Sequence, residues 1–102
     1  MRNLSETLIP HMNPIKDLQI IPGVGKSIAQ DMFDLGIREL TDLKKRDPEK
    51  LYENLCALRG RHIDRCVLYV FRCAVYFAST KKPDPYFLKW WHWKDVNKKV
   101  TN

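Results

Sequence analysis

A chain of 102 residues is expected to form one domain. Its 44% hydrophobic and 29% charged content fits a folded globular chain and excludes an intrinsically disordered one. Eighteen Lys and Arg against twelve Asp and Glu give a net charge of +6 and a pI near 9.4, which favours a polyanionic partner such as nucleic acid.

The start, Met1-Arg2-Asn3-Leu4, is followed by Glu6, Pro10 and His11 and offers no apolar signal-peptide core. Residues 1–13 read as an N-terminal arm, in which Leu4, Leu8 and Ile9 can pack as a short helix. Asn13-Pro14, a cap residue before proline at the first helical position, predicts a helix to about Ile20. A second helix is expected from about Lys26 to Leu35, where Ile28, Met32 and Leu35 form an apolar stripe with Ala29 and Phe33 beside it. Gly36 followed by Ile37 reads as a glycine helix stop with its hydrophobic contact.

Thr41-Asp42-Leu43 opens a short helical turn through Arg46. Asp47-Pro48-Glu49 is a stronger start signal, and Leu51, Leu55 and Leu58 give the helix after it an apolar stripe. Arg59-Gly60-Arg61 breaks that helix, and a long one is expected from about His62 to Ala78. Its apolar run over 66–78 is too short to span a bilayer and contains Arg72, so no membrane partner is expected. Lys81-Lys82-Pro83-Asp84-Pro85 ends the helical region. A short segment follows with Tyr86, Phe87, Leu88, Trp90, Trp91 and Trp93, and then a basic polar tail over 96–102. No stretch alternates as a strand does, so the expected fold is all-α with about five helices in one domain over 14–95.

The informative stretch is Leu18-Gln19-Ile20-Ile21-Pro22-Gly23-Val24-Gly25-Lys26-Ser27-Ile28-Ala29. Pro22 presets φ for the second turn position, and Gly23 takes the positive φ required at the third. Gly25 has no side chain to keep another group from the backbone. The next helix starts at once, with unpaired N–H groups and the positive end of its dipole facing outward, a ready site for a phosphate. Lys26 adds a mobile charge at the rim. Ala29 lets the two helices approach, while Ile21 and Val24 anchor the turn.

These residues resemble the helix-hairpin-helix motif of DNA repair, replication and recombination proteins, over roughly residues 14–37. The Asp47-Pro48-Glu49 helix, the break at Arg59-Gly60, Pro83-Asp84-Pro85 and Lys89-Trp90-Trp91 extend the likeness to a small bacterial pathogenicity-locus family over about residues 14–95. That family name reflects genome position and carries no activity across. The hairpin resemblance implies a non-sequence-specific grip on the backbone of double-stranded DNA through Pro22, Gly23, Val24, Gly25, Lys26 and Ser27. It also implies a monovalent cation, K⁺ or Na⁺, held by the carbonyls of Gln19, Ile21 and Val24. Such motifs often come in pairs, and Arg59, Gly60 and Arg61 stand where a second hairpin belongs. They lack the Pro-Gly-x-Gly core, so that hairpin is degenerate and its arginines supply charge instead.

Competing readings are more ordinary. Over 14–37 two lysines face three aspartates, whereas 81–102 holds six lysines and two aspartates, so the basic excess lies away from the hairpin. The hairpin can therefore be scaffold only, in a protein-interaction adaptor that uses Trp90, Trp91 and Trp93. Those tryptophans can also stack on unpaired bases or cap the core. Lys26-Ser27 is not a phosphate loop, because Ile20 stands where the first glycine is required. His62 and Cys66 have metal-ligand spacing but no further ligand pair, which favours packing over zinc. Cys66 and Cys73, seven apart, are expected in the core with Tyr69, Phe71, Tyr76 and Phe77; His11 and His92 are expected to face solvent, and Asp64 to cap or to form a salt bridge. Three cysteines without a CxxC pair suit reduced thiols in the cytoplasm. With no nucleophile–base pair, metal cluster or cofactor loop, the chain reads as non-enzymatic.

Overall fold

The computed structural model describes residues 13–94. Four α-helices, α1 (Pro14–Leu18), α2 (Lys26–Asp34), α3 (Pro48–Arg59) and α4 (Arg65–Ser79), are joined by loops and by 3-10 turns at Leu40–Leu43, Pro85–Leu88 and Trp90–Trp93. The fold is all-α, with no strand among the described residues. The expected arm over 1–13 and tail over 96–102 lie outside them, apart from Asn13, and so does His11.

Capping chemistry sets the helix boundaries. The Asn13 side chain accepts from the Ile15 and Lys16 amides, Asp47 from Glu49, and Asp64 from Cys66. The last of these moves the start of α4 to Arg65, three residues beyond the expected His62, because Asp64 takes the cap position. At the end of α2, Gly36 adopts φ +93°, Gly36 donates to the Phe33 carbonyl and Ile37 to that of Met32, the paired bonds of a Schellman stop. Ile37 is thereby driven into the core.

The core is built on α4, whose Phe71 is fully buried with Leu68, Val70, Cys73 and Ala74 around it. Leu18 and Ile21 come from the first hairpin, Ala29 and Met32 from α2, Leu43 from the 3-10 turn, and Leu51, Tyr52 and Leu55 from α3. Each fully buried Leu, Ile or Phe contributes about 1.5–3 kcal/mol by leaving water. The Tyr52 hydroxyl donates to the Ile63 carbonyl and ties the 60–64 loop to α3. No helix among the described residues is long and apolar enough to cross a membrane.

Four expectations need correction. Leu58 is 53% exposed, because Tyr52 joins Leu51 and Leu55 on the buried face and the stripe is complete without it. Cys66 is exposed while Cys73 is buried: the covered stretch of α4 runs from Leu68 to Ala74, and Ile63 closes the core at the Cys66 end. Of the four α4 aromatics, Phe71 alone is wholly buried; Tyr69, Tyr76 and Phe77 are half-buried, and Tyr76 packs on Phe87 and Trp93. His92 does not simply face solvent, since it stacks on Tyr86 at 3.9 Å with Nδ1 2.7 Å from the Tyr86 carbonyl oxygen. The two 3-10 turns fold residues 86 and 92 onto each other.

Arg72 holds this aromatic segment in place. Its guanidinium donates to Glu49 at 2.6 and 3.1 Å and to the Trp93 carbonyl at 2.8 Å, and it lies 5.7 Å from the centre of the Tyr69 ring. The Trp93 indole N–H in turn donates to the Phe87 carbonyl. A charge inside an otherwise apolar helix is thus satisfied by α3 and by the C-terminal segment together.

Candidate nucleic-acid interface

The turn between α1 and α2 is anchored from within by Leu18, Ile21 and Val24, all buried. The Val24 amide donates to the Ile21 carbonyl at 3.0 Å, and Gly23 adopts φ +86°. Pro22 is half-buried, whereas Gly23, Gly25, Lys26 and Ser27 are exposed. Gly25 occupies the cap position of α2.

That cap differs from the other three. α1, α3 and α4 each have a side-chain oxygen on their first amides, whereas no side chain caps α2. The amides of Gly25, Lys26 and Ser27 donate to no protein acceptor among the described residues. Three donors and the positive end of a nine-residue helix therefore face outward at one point.

The geometry at Gly25 is informative. Its φ is −94°, which any residue adopts, and a Cβ built there would meet nothing within 4 Å. The fold does not require glycine at this position. A side chain would instead meet open space at the cap position of α2.

Gly23 has a different role. A Cβ there would lie 2.8 Å from Cδ1 of Trp90, so the Trp90 indole rests directly on the turn. The aromatic segment and the hairpin, about 67 residues apart in sequence, form one surface. Sequence reasoning missed this contact; the positive φ expected of Gly23 masked its second reason for being glycine.

For the expected cation, the carbonyls of Gln19, Ile21 and Val24 belong to this one turn, and that of Ile21 already accepts the Val24 amide. No cluster of three or more His, Cys, Asp or Glu that could hold a metal occurs among the described residues.

The second turn is satisfied from inside the fold. Gly60 adopts φ +71°, and the Gly60 and Arg61 amides both donate to the Cys56 carbonyl. The Asp64 carboxylate fills the N-terminus of α4, and its bond to the Cys66 amide holds that carboxyl below the usual range. Asp64 therefore caps, as one of its two expected roles, and His62 packs edge-on to Tyr52. Arg61 is exposed and leaves only its side chain for a ligand.

Arg59 points back to the first hairpin. Its guanidinium lies 2.7 Å from Asp31 and 2.8 Å from Asp34, and the Asp34 carboxyl is held below its ordinary range chiefly by this bond, with help from Gln30. The sequence shows an acidic surplus on the hairpin; the structure shows that surplus offset by Arg59. Arg59 thus braces the end of α3 against α2 and is engaged by carboxylates in this structure.

The chain matches the model of the Pathogenicity locus family over residues 11–99. It is also 34% identical over 84 residues, 82% of this chain and 76% of the relative, to the Mitomycin resistance protein McrB of Streptomyces lavendulae. No solved structure matches it. The capped helices, the Pro83-Asp84-Pro85 turn and the Lys89-Trp90-Trp91 segment lie within the matched span, and by that match the chain belongs to the pathogenicity-locus family.

Proposed function

We propose that this chain is a helix-hairpin-helix module that grips DNA by its phosphate backbone, without reading base sequence and without catalysing a reaction on it. The observation that carries the reading is Gly25: a glycine that neither φ nor internal packing requires, in front of three amides with no protein acceptor. Lys26 and Ser27 are exposed at those amides, and Arg59 offsets the charge of Asp31 and Asp34 farther along α2. A K⁺ or Na⁺ ion on the turn carbonyls would add to the grip. Likeness to a mitomycin resistance protein supports a part in tolerance of that drug. Unpaired thiols at Cys56, Cys66 and Cys73 suit a reducing, cytoplasmic setting.

Fluorescence anisotropy with a labelled duplex of about 20 base pairs tests the reading. If four phosphates are contacted, affinity falls roughly 100-fold between about 50 and 200 mM salt. Gly25→Val is expected to weaken binding at least ~10-fold with helicity unchanged, since one blocked phosphate contact and the lost approach distance act together. No binding by the natural chain at low salt overturns the proposal and leaves the hairpin as scaffold for a protein-interaction adaptor.

A further inference from the structure

The hairpin's outer surface continues into the aromatic segment. Trp90 is half-buried and wedged on Gly23, with Cδ1 2.8 Å from where a Cβ would stand. Trp91 packs edge-on to Trp90 with ring centres 5.8 Å apart, yet remains 53% exposed. An indole is thus held one ring beyond the turn by contacts that bury its neighbour and leave its own surface in water. Leaving so large an apolar group exposed is unfavourable, and the same chain buries most of its other large side chains.

The charge around Trp91 favours one kind of occupant. Lys89 and Lys94 are exposed on either side of it in sequence, Lys26 is exposed at the start of α2 just after the turn that Trp90 touches, and no ion pair engages any of the three among the described residues. An exposed flat aromatic surface in a segment flanked by lysines without ion pairs suits a base whose own phosphates are nearby. A wholly apolar protein surface would strand those lysines against it.

We propose that Trp91 is a stacking platform for an unpaired base, and that the preferred ligand is a DNA end or junction in which duplex meets single strand. The inference rests on the backbone-binding reading above and deepens it. The α2 amides hold a phosphate of the duplex, Trp90 fixes the spacing from the turn, and Trp91 takes the first base that leaves the stack. Blunt duplex uses the hairpin alone; single strand uses Trp91 and the lysines without the hairpin's full register.

The experiment compares three probes: a blunt duplex, the same duplex with a thymine overhang of a few nucleotides, and the single strand. The natural chain, Trp91→Ala, Trp91→Phe and Gly25→Val are titrated against each. The overhang probe is expected to bind tightest, and Trp91→Ala to lose roughly 5- to 150-fold on it, the span of one aromatic–base stack, with less than about 2-fold on blunt duplex. Trp91→Phe recovers most of that loss, and the natural chain's tryptophan fluorescence is quenched by the overhang probe and by the single strand but not by the blunt duplex. Gly25→Val weakens both duplex probes together.

If Trp91→Ala leaves every probe unchanged while Gly25→Val still weakens binding, the stacking proposal fails and the backbone reading stands. An equal loss on all probes also overturns it, by making Trp91 a structural support. If no probe binds the natural chain, both readings fall. A Trp91-dependent shift in mass on light scattering, without probe discrimination, assigns the ring to a protein contact and overturns the base-stacking role.

Discussion

Gly23→Ala is the most informative single change in this chain. Two separate penalties meet there: an L side chain at φ +86°, and a Cβ 2.8 Å from Cδ1 of the Trp90 ring. The left-handed backbone costs about 1–2 kcal/mol, and forcing an extra methyl against packed atoms about 1–3 kcal/mol. Together the loss is about 2–5 kcal/mol from a total stability of about 5–15, or roughly 10–30 °C in Tm for a domain of this size. Gly36→Ala is the internal control, because φ there is +93° but nothing lies within 4 Å of the added Cβ. It should lose the strain alone, about 1–2 kcal/mol. Combining Gly23→Ala with Trp90→Ala should restore the difference, a coupling of about 1–3 kcal/mol read from urea unfolding curves. If Gly23→Ala and Gly36→Ala cost the same, or the coupling is near zero, Trp90 does not rest on the turn and the continuous surface described above does not exist.

Three further outcomes follow from the packing and the charges. Arg72→Met strands Glu49, whose side chain is 25% exposed, and frees the Trp93 carbonyl; it should cost about 2–3 kcal/mol, below the range for a fully buried pair, and shift tryptophan emission to the red. Asp34 and Asp64 are both held below their ordinary carboxyl range, the first mainly by Arg59 and the second by the Cys66 amide. Because the folded chain lowers them, their stabilisation is fully present above the unfolded value of about 3.9 and is lost as pH falls through the folded values, so Tm should hold from neutral pH to about 5 and drop below about 4; Arg59→Gln should flatten that drop. With a thiol reagent at neutral pH, Cys66 should react first because it is exposed, whereas Cys73, buried and pushed up to about 11, should stay protected until the chain unfolds; labelling of Cys73 at the rate of Cys66 would contradict the packing around α4.

The elements legible in the sequence were those fixed by neighbours a few residues away. Asn13-Pro14, Asp47-Pro48 and Gly36-Ile37 each act through hydrogen bonds spanning two to five residues, and the helices begin and end where these signals stand. The turn from Pro22 to Gly25 was legible for the same reason, since proline and glycine act on their own φ. Leu58 and Cys66 were misplaced because period alone does not say how far a helix is covered. α3 completes its face with Tyr52, and the fully buried residues of α4 run only from Leu68 to Ala74. The contacts of Arg59 and Trp90 were not legible because their partners lie far along the chain: Asp31 and Asp34 for one, Gly23 for the other. An arginine after a helix looks the same in sequence whether it meets a phosphate or a carboxylate.

Those two long-range contacts bear on how binding and folding are linked. Arg59 brings the end of α3 onto α2, and Trp90 brings the C-terminal segment onto the turn, so the hairpin is braced on both flanks by parts of the chain outside the motif. A helix as short as α1, five residues, is not stable alone and needs such packing. Arg72 then joins the second brace to α3 through Glu49 and the Trp93 carbonyl, so release of that one guanidinium loosens the segment that carries Trp90. On the proposed reading, a phosphate on the α2 amides gains from their being held in one direction before it arrives. Changes at Arg72 or Glu49, neither of them at the turn, should therefore weaken DNA binding by more than their charge alone explains. Over 14–37 the hairpin has the sequence for its turn but, with two lysines against three aspartates, neither the charge nor the length to act as an isolated peptide. The rest of the domain provides both: Arg59 offsets the aspartates, and the Trp90 segment together with α4 fixes the turn in one conformation.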